Sequence, residues 1–176
     1  QKCSACSRVL VHRQVYHRFR GRLIAAARCL PIGPADAPGT VINPLISAQA
    51  AQRLADYGQV ARQEGRVLVD DLEARRQGLA LGPLIVEVDR SQAQTARVAQ
   101  EELFGPILTL APFDSPEQAI ELVNGTIYGL TLGIFSRSPA TIAQMAASCQ
   151  AGNIYVNREI VGARVGIEPF GGFRLS

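Results

Sequence analysis

Several things are scarce in this sequence, and each scarcity removes a class of function. No apolar stretch approaches the about 18 residues of a membrane-spanning helix, and nothing reads as a charged-then-apolar leader. Like charges are not massed: 18 basic and 15 acidic residues are scattered over 176 positions with a formal net charge of +3. A nucleic-acid surface therefore has little support, whereas acidic small molecules stay open as substrates. Lysine is almost missing, Lys2 standing alone among the arginines. We read this as a compositional bias and not as a binding signal. Four cysteines (Cys3, Cys6, Cys29 and Cys149) are too few and too spread for the disulfide framework of a small secreted domain. They suit a reducing cytoplasm, or the mitochondrial matrix in a eukaryote. No G-x-G-x-x-G stretch follows a strand, so the dinucleotide phosphate fingerprint is absent from the chain.

What is present reads as one α/β domain with no convincing internal boundary. Hydrophobic residues make up 47% and charged residues 19%, a globular balance. RVLVH (Arg8 to His12) has strand character, and Val15, Phe19, Leu23, Ala26, Ala27 and Leu30 recur at helical spacing after it. CLPIGPADAPGT reads as loop. Ser47 then caps a second helix, which carries Leu54, Tyr57 and Ala61 on one face and stops at Gly65. Strands follow at Arg66 to Asp70, Pro83 to Val88 and ILTLAPF. Ser115, Pro116 and Gln118 form a capping box for the next helix. The strand LTLGIFS, a helix from Pro139 to Gln150 and the short strand NIYVN complete an alternation that predicts a largely parallel sheet.

The chemistry concentrates first in QKCSACSR, at residues 1–8. Zinc needs about four ligands, and no second C-x-x-C or H-x-x-x-H pair exists. His12 and His17 read as ordinary strand and surface-helix residues. A thioredoxin-like pair has the right spacing, yet its motif opens a helix and this one runs into an apolar strand. The third reading is a nucleophile: Cys3 borders Lys2, a cation of the kind that accompanies reactive thiols. Local sequence leaves all three open. Cys6, Cys29 and Cys149 are expected to be packed thiols.

Three stretches in fixed order change this balance: QKCSACSR, EELFGP (Glu101 to Pro106) and NREIVGARVGIEPFGG (Asn157 to Gly172). Together with IGPADAPGT, NGTIYGLTLGIFSR and GNIYVNR, they resemble the catalytic domain of the NAD(P)-dependent aldehyde dehydrogenase superfamily over essentially the whole chain. Within it they are most similar to 1-pyrroline-5-carboxylate (L-glutamate γ-semialdehyde) dehydrogenases, with VGARVG close to the form in bifunctional proline-utilisation enzyme A. The resemblance implies an open, mostly parallel twisted sheet with flanking helices. It also implies NAD-dependent oxidation of glutamate γ-semialdehyde to glutamate through a cysteine thiohemiacetal and thioester, NADP being the alternative cofactor. FAD enters only if a proline dehydrogenase domain is fused outside this chain.

Residue by residue, the resemblance makes Cys3 the nucleophile, two positions after Gln1, and Cys6 a bystander. Glu102 would accept the hydroxyls of a ribose and Phe104 would pack beside the nicotinamide; a solvated turn carboxylate and a core phenylalanine are the plainer readings. Gly162 and Ala163 would anchor the substrate's α-carboxylate through backbone N–H groups, with Ser4 adding a hydroxyl. Phe170 would wall the substrate's aliphatic chain, unless it is simply core. Glu168 stands where relatives usually carry glutamine, and a negative charge there is unhelpful to an acidic substrate. The partner expected is a small aldehyde, with no nucleic acid, and the intact enzyme is expected to be a homo-oligomer. Since the family's dinucleotide-binding domain and its water-activating glutamate precede the cysteine motif, and its dimerisation strand follows FRLS, we expect residues 1–176 to be a fragment that is inactive alone. A dehydrogenase for another aldehyde and a non-catalytic aldehyde-dehydrogenase-like module are the competing expectations.

Overall fold

The apolar run RVLVH forms strand β1 (Arg8–His12) of a computed structural model that describes residues 1–164 and 166–176. His12 ends the strand and opens helix α1 (Arg13–Arg28), its Nδ1 accepting the Gln14 N–H at 3.3 Å. Helix α2 (Ala48–Glu64) starts where Ser47 Oγ takes the Ala50 N–H at 3.1 Å. It ends at Gly65, whose backbone is extended (φ −159°). Space is what requires glycine there: a Cβ would lie 2.6 Å from Val86 Cγ1 and 2.7 Å from the Glu87 carbonyl oxygen.

The chain divides into two compact units. The first holds Gln1 and Ser7–Pro112. Strands β2 (Arg66–Asp70), β3 (Leu84–Glu87) and β4 (Ile107–Phe113) join β1 in a four-stranded sheet of order β1-β4-β3-β2. β3 and β4 are parallel, and between them run a short 3-10 turn (Gln92–Gln94) and helix α3 (Arg97–Gln100). β2 and β3 are antiparallel, which follows from their link: residues 71–83 contain no crossover helix, so the chain can only turn back.

Leu54, Leu72, Leu81, Leu84, Val86, Val88 and Leu110 are fully buried in this unit. On one side α1 sets Ala27 against Val69 and Ile85, and Tyr16 against Val11 and Leu110. Tyr16 carries its hydroxyl inward with a partner, donating to Glu87 Oε1 at 3.0 Å, while Arg20 meets both Glu87 oxygens at 3.2 and 3.1 Å. Burial, then the hydrogen bond to Glu87 and its charge, push the Tyr16 phenol above its ordinary value.

The second unit holds Lys2–Cys6 and Phe113–Ser176. Helix α4 (Pro116–Asn124) begins as the capping box predicts: Ser115 Oγ accepts from Gln118 N at 3.4 Å, although Gln118 Oε1 reaches back to Asp114 N at 2.9 Å, one residue beyond the cap. Strand β5 (Tyr128–Gly129) pairs antiparallel with β8 (Phe173–Arg174), and β6 (Thr131–Ile134) pairs parallel with β7 (Asn153–Val156). Between β6 and β7 runs α5 (Pro139–Ser148), capped by Ser138. The α/β class holds: β3–β4 and β6–β7, each joined through a helix, are parallel, while β2–β3 and β5–β8 are antiparallel. Among the described residues no helix is long and apolar enough to cross a membrane.

Candidate active site

Cys3 and Ser4 occupy the middle of a turn closed by the Ala5 N–H on the Lys2 carbonyl at 3.0 Å. The Cys3 thiol is free and exposed, and Ser4 is 4% exposed. Cys6 and Cys29 are also exposed, against the expectation that they pack: one lies in the loop leading to β1 and the other is the residue after α1, where neither has a core to enter. Only Cys149 is buried, and burial pushes its thiol up. Among the described residues no three of His, Cys, Asp and Glu converge on a metal position.

The EELFGP stretch turns sharply in the first unit. Phe104 has φ +55°, a left-handed backbone that a bulky residue adopts only when its surroundings impose it. The surroundings are on hand. Arg53 Nη2 donates to the Leu103 carbonyl at 2.8 Å, and Gln1 Nε2 donates to the Phe104 carbonyl at 2.8 Å. Gly105 rests directly on Leu54, whose Cδ1 would be 2.0 Å from any Cβ at that position. So held, Phe104 is 38% exposed. Glu101 is spent on Arg97 at 2.7 Å, whereas Glu102 is exposed and, among the described residues, has no ion-pair partner. The turn thus exposes, two residues apart, a carboxylate and an aromatic ring, residue types able to meet a ribose diol and a flat heterocycle.

In the second unit Gly162 and Ala163 line a cleft of about 290 Å³ together with Asn153, Tyr155, Arg158 and Glu168. Gly162 has φ +106°, which suits glycine alone, and Arg158 lies 3.8 Å from where its Cβ would be. Among the described residues no acceptor is paired with the N–H of Gly162 or Ala163, so two consecutive donors remain for a ligand. The Arg158 guanidinium stacks on the Tyr155 ring at 5.4 Å. Glu168, itself a lining residue, takes the Arg164 N–H on its carboxylate at 2.6 Å and pairs with the Arg164 guanidinium at 3.4 Å. Cys3, Ser4 and Phe170 are not among the cleft's lining residues, and Phe170 is 47% exposed. Val165, inside the VGARVG motif, lies outside the described residues.

Several supporting residues carry no sequence signal of their own. Asn153 holds the PFGG segment, donating to the Pro169 carbonyl at 2.8 Å and accepting the Gly171 N–H at 3.4 Å. Asn157, at φ +54°, exchanges two bonds with the Ser136 backbone at 3.0 and 2.9 Å. Arg53 and Gln1 belong with them; only the packing shows which backbone carbonyl each will meet. A larger shallow hollow of about 430 Å³ by Ile32 and Arg75 contains none of these residues, and its Arg75 is spent on the Arg28 carbonyl at 3.0 Å.

A family model described as the aldehyde dehydrogenase family matches residues 1–176. A 1-pyrroline-5-carboxylate dehydrogenase of Geobacillus kaustophilus is 34% identical over 177 residues, covering 100% of this chain and 34% of that protein. Among solved structures, 1-pyrroline-5-carboxylate dehydrogenase from Thermus with bound NAD superposes with a TM-score of 0.89 at 34% identity, covering 99% of this chain and 33% of the other. A proline utilization A mutant from Bradyrhizobium japonicum gives a TM-score of 0.89 at 35% identity, covering 100% of this chain and 18% of the other. The chain thus spans about a third of the length of the curated relatives it matches.

Proposed function

This chain belongs to the aldehyde dehydrogenase family, and from that premise we propose that the complete protein carrying it oxidises L-glutamate γ-semialdehyde to L-glutamate with NAD. The observation that carries the substrate is the cleft at Gly162 and Ala163. Among the described residues the adjacent N–H groups of Gly162 and Ala163, on a small-residue loop, are unpaired and suited to a carboxylate. Arg158 adds positive charge at the same cleft, and Arg164 offsets Glu168. The objection raised by a carboxylate at position 168 is thereby weakened. The relatives named 1-pyrroline-5-carboxylate dehydrogenase support the same substrate.

Cys3 is the nucleophile in this reading. Its thiolate adds to the aldehyde carbon, giving a thiohemiacetal whose oxygen carries the developing negative charge. Loss of hydride from that carbon leaves a Cys3 thioester, and water then releases the acid and returns the thiol. NAD, when bound, supplies the hydride acceptor. Glu102 and Phe104 fit it: the free carboxylate would take both hydroxyls of a ribose, and the exposed ring would shield one face of a planar group. Ser4 serves as a hydroxyl beside the nucleophile and Phe170 as an apolar wall.

The test compares NAD reduction by the complete protein with glutamate γ-semialdehyde and with an uncharged aldehyde of similar length. A higher kcat/KM for the semialdehyde is expected. Equal or better turnover of the uncharged aldehyde would overturn the substrate assignment and favour the reading as a dehydrogenase for another aldehyde.

A further inference from the structure

Gln1 makes two hydrogen bonds that tie distant parts of the first unit together. Its Nε2 donates to the Phe104 carbonyl at 2.8 Å, 103 residues away, and its Oε1 accepts the Ile46 N–H at 2.8 Å. The side chain thereby joins the segment leading into α2 to the turn that bears Glu102 and Phe104. A second anchor comes from α2 itself, through Arg53 on the Leu103 carbonyl. Two consecutive carbonyls of a turn containing a left-handed phenylalanine are thus each held by one side chain. Such a backbone persists only where its neighbours over-determine it.

From this geometry we propose that Gln1 is a positioning residue for cofactor binding: its carboxamide fixes the Phe104 turn, and with it the Glu102 carboxylate and the Phe104 ring. The proposal rests on the cofactor role proposed above for those two residues. The glutamine amide meets the demand here. One end of the amide must donate to a carbonyl while the other accepts an N–H, which a carboxylate cannot do and which asparagine is one methylene too short to reach. The glutamine two residues before Cys3 consequently acts on the turn at 102–105, independently of any effect on the thiol.

The experiment measures NADH binding by fluorescence titration in the complete protein, for wild type and for Q1A, Q1E and R53M, with the melting temperature and the rate of Cys3 alkylation recorded alongside. Q1E retains the acceptor for the Ile46 N–H and puts an oxygen against the Phe104 carbonyl. We expect Q1A and Q1E both to weaken NADH binding about three- to tenfold, the scale of one or two net hydrogen bonds. R53M should weaken it similarly by freeing the adjacent carbonyl. The Cys3 alkylation rate should stay within about twofold of wild type, which a general loosening of the fold would not allow. Unchanged NADH affinity in Q1E, or a loss only in step with a fall in melting temperature, would overturn the proposal. If Q1A does not fold, Q1E and R53M decide the matter by the same criteria. A wild-type protein that binds no NADH would refute the cofactor reading and this proposal with it, whereas wild-type binding with unaltered variants refutes the role of Gln1 alone.

Discussion

Gly105→Ala is the most direct probe of how the Phe104 turn is held. A Cβ at residue 105 falls 2.0 Å from Leu54 Cδ1 and 3.2 Å from Cγ and Cδ2 of the same side chain. Ordinary contact begins at 3.4 Å, so the leucine or the turn must give way by about 1.4 Å (3.4 − 2.0). Leu54 is 1% exposed and has no solvent to swing into. Overpacking of this kind costs about 1–3 kcal/mol, or roughly 2–12 °C in melting temperature at about 2–4 °C per kcal/mol for a domain of this size. Because the mechanism names one partner, a double-mutant cycle isolates it. Leu54→Ala alone should cost about 2–5 kcal/mol. In that background Gly105→Ala should be nearly free, giving a coupling of about 1–3 kcal/mol, read from urea or thermal unfolding of the four proteins. If Gly105→Ala costs the same with and without Leu54, the clash is not with Leu54 and the reasoning fails. NADH titration of the single variant adds a second readout, expected to weaken, since the turn that moves carries Phe104.

Cys3→Ser should abolish aldehyde oxidation by the complete protein while NADH affinity stays within about twofold; residual turnover at wild-type rate would remove Cys3 from the mechanism. In iodoacetamide mapping Cys149 should react last of the four thiols, because burial both hides it and disfavours its thiolate. Gly162→Ala should raise KM for the semialdehyde about tenfold, the equivalent of 1.4 kcal/mol, with KM for NAD unchanged, since the strain falls at φ +106° on the cleft loop. Glu117 accepts from Gln144 Nε2 at 2.7 Å, and that bond, ahead of the backbone and Ser115, holds its carboxyl below the ordinary 4.5. A depressed folded value means the α4–α5 contact stabilises fully above pH 4.5 and is lost as pH falls through the folded value. Gln144→Ala should therefore move the Glu117 midpoint upward in a carboxyl NMR titration. For Tyr16 the sign reverses: the phenol is raised above its ordinary 10.0, so its contribution is intact below pH 10.0 and declines as pH climbs toward the folded value, and Tyr16→Phe should remove about 1–2 kcal/mol in urea unfolding.

How much of this was legible in advance depends on the range of the interaction concerned. The elements announced by local chemistry stand where the sequence puts them: β1 at Arg8–His12, α2 after Ser47, β2 at Arg66–Asp70 and α4 behind the Ser115 cap. A cap or a periodic apolar face acts within a few residues, so its signal is complete in the local string. β5 and β8 escape notice because each is two residues long and exists only by pairing across 45 or so positions, Tyr128 with Arg174 and Gly129 with Phe173. Cys29 misled for a related reason. Its hydrophobic character predicts burial on average, but it is the residue at which α1 ends, and exposure there is decided by what the following loop covers. At the candidate site, EELFGP advertised Glu102 and Phe104 as chemistry; the left-handed backbone and the two held carbonyls are tertiary facts that no residue type encodes.

The division into two units gives the opening motif a meaning that its letters lack. Contact assigns Gln1 to the first unit and Lys2 to Cys6 to the second, so the boundary falls between the first and second residues. Three adjacent residues therefore answer to different constraints. Gln1 is fixed by a carbonyl and an N–H of the first unit, and Cys3 by a turn closed within its own pentapeptide. A C-x-x-C pair considered alone invites the question of which cysteine reacts. The hydrogen bonds of Gln1 supply an asymmetry from outside the pair, since they locate the chain two residues before Cys3 and five before Cys6. Lengthening the link is then more informative than changing a side chain. One glycine inserted between Gln1 and Lys2 keeps every functional group. NADH binding should remain within about twofold, because the Gln1 bonds are untouched. Weakened NADH binding would mean that Gln1 answers to the residues that follow it as well, and the assignment of separate constraints would have to be abandoned.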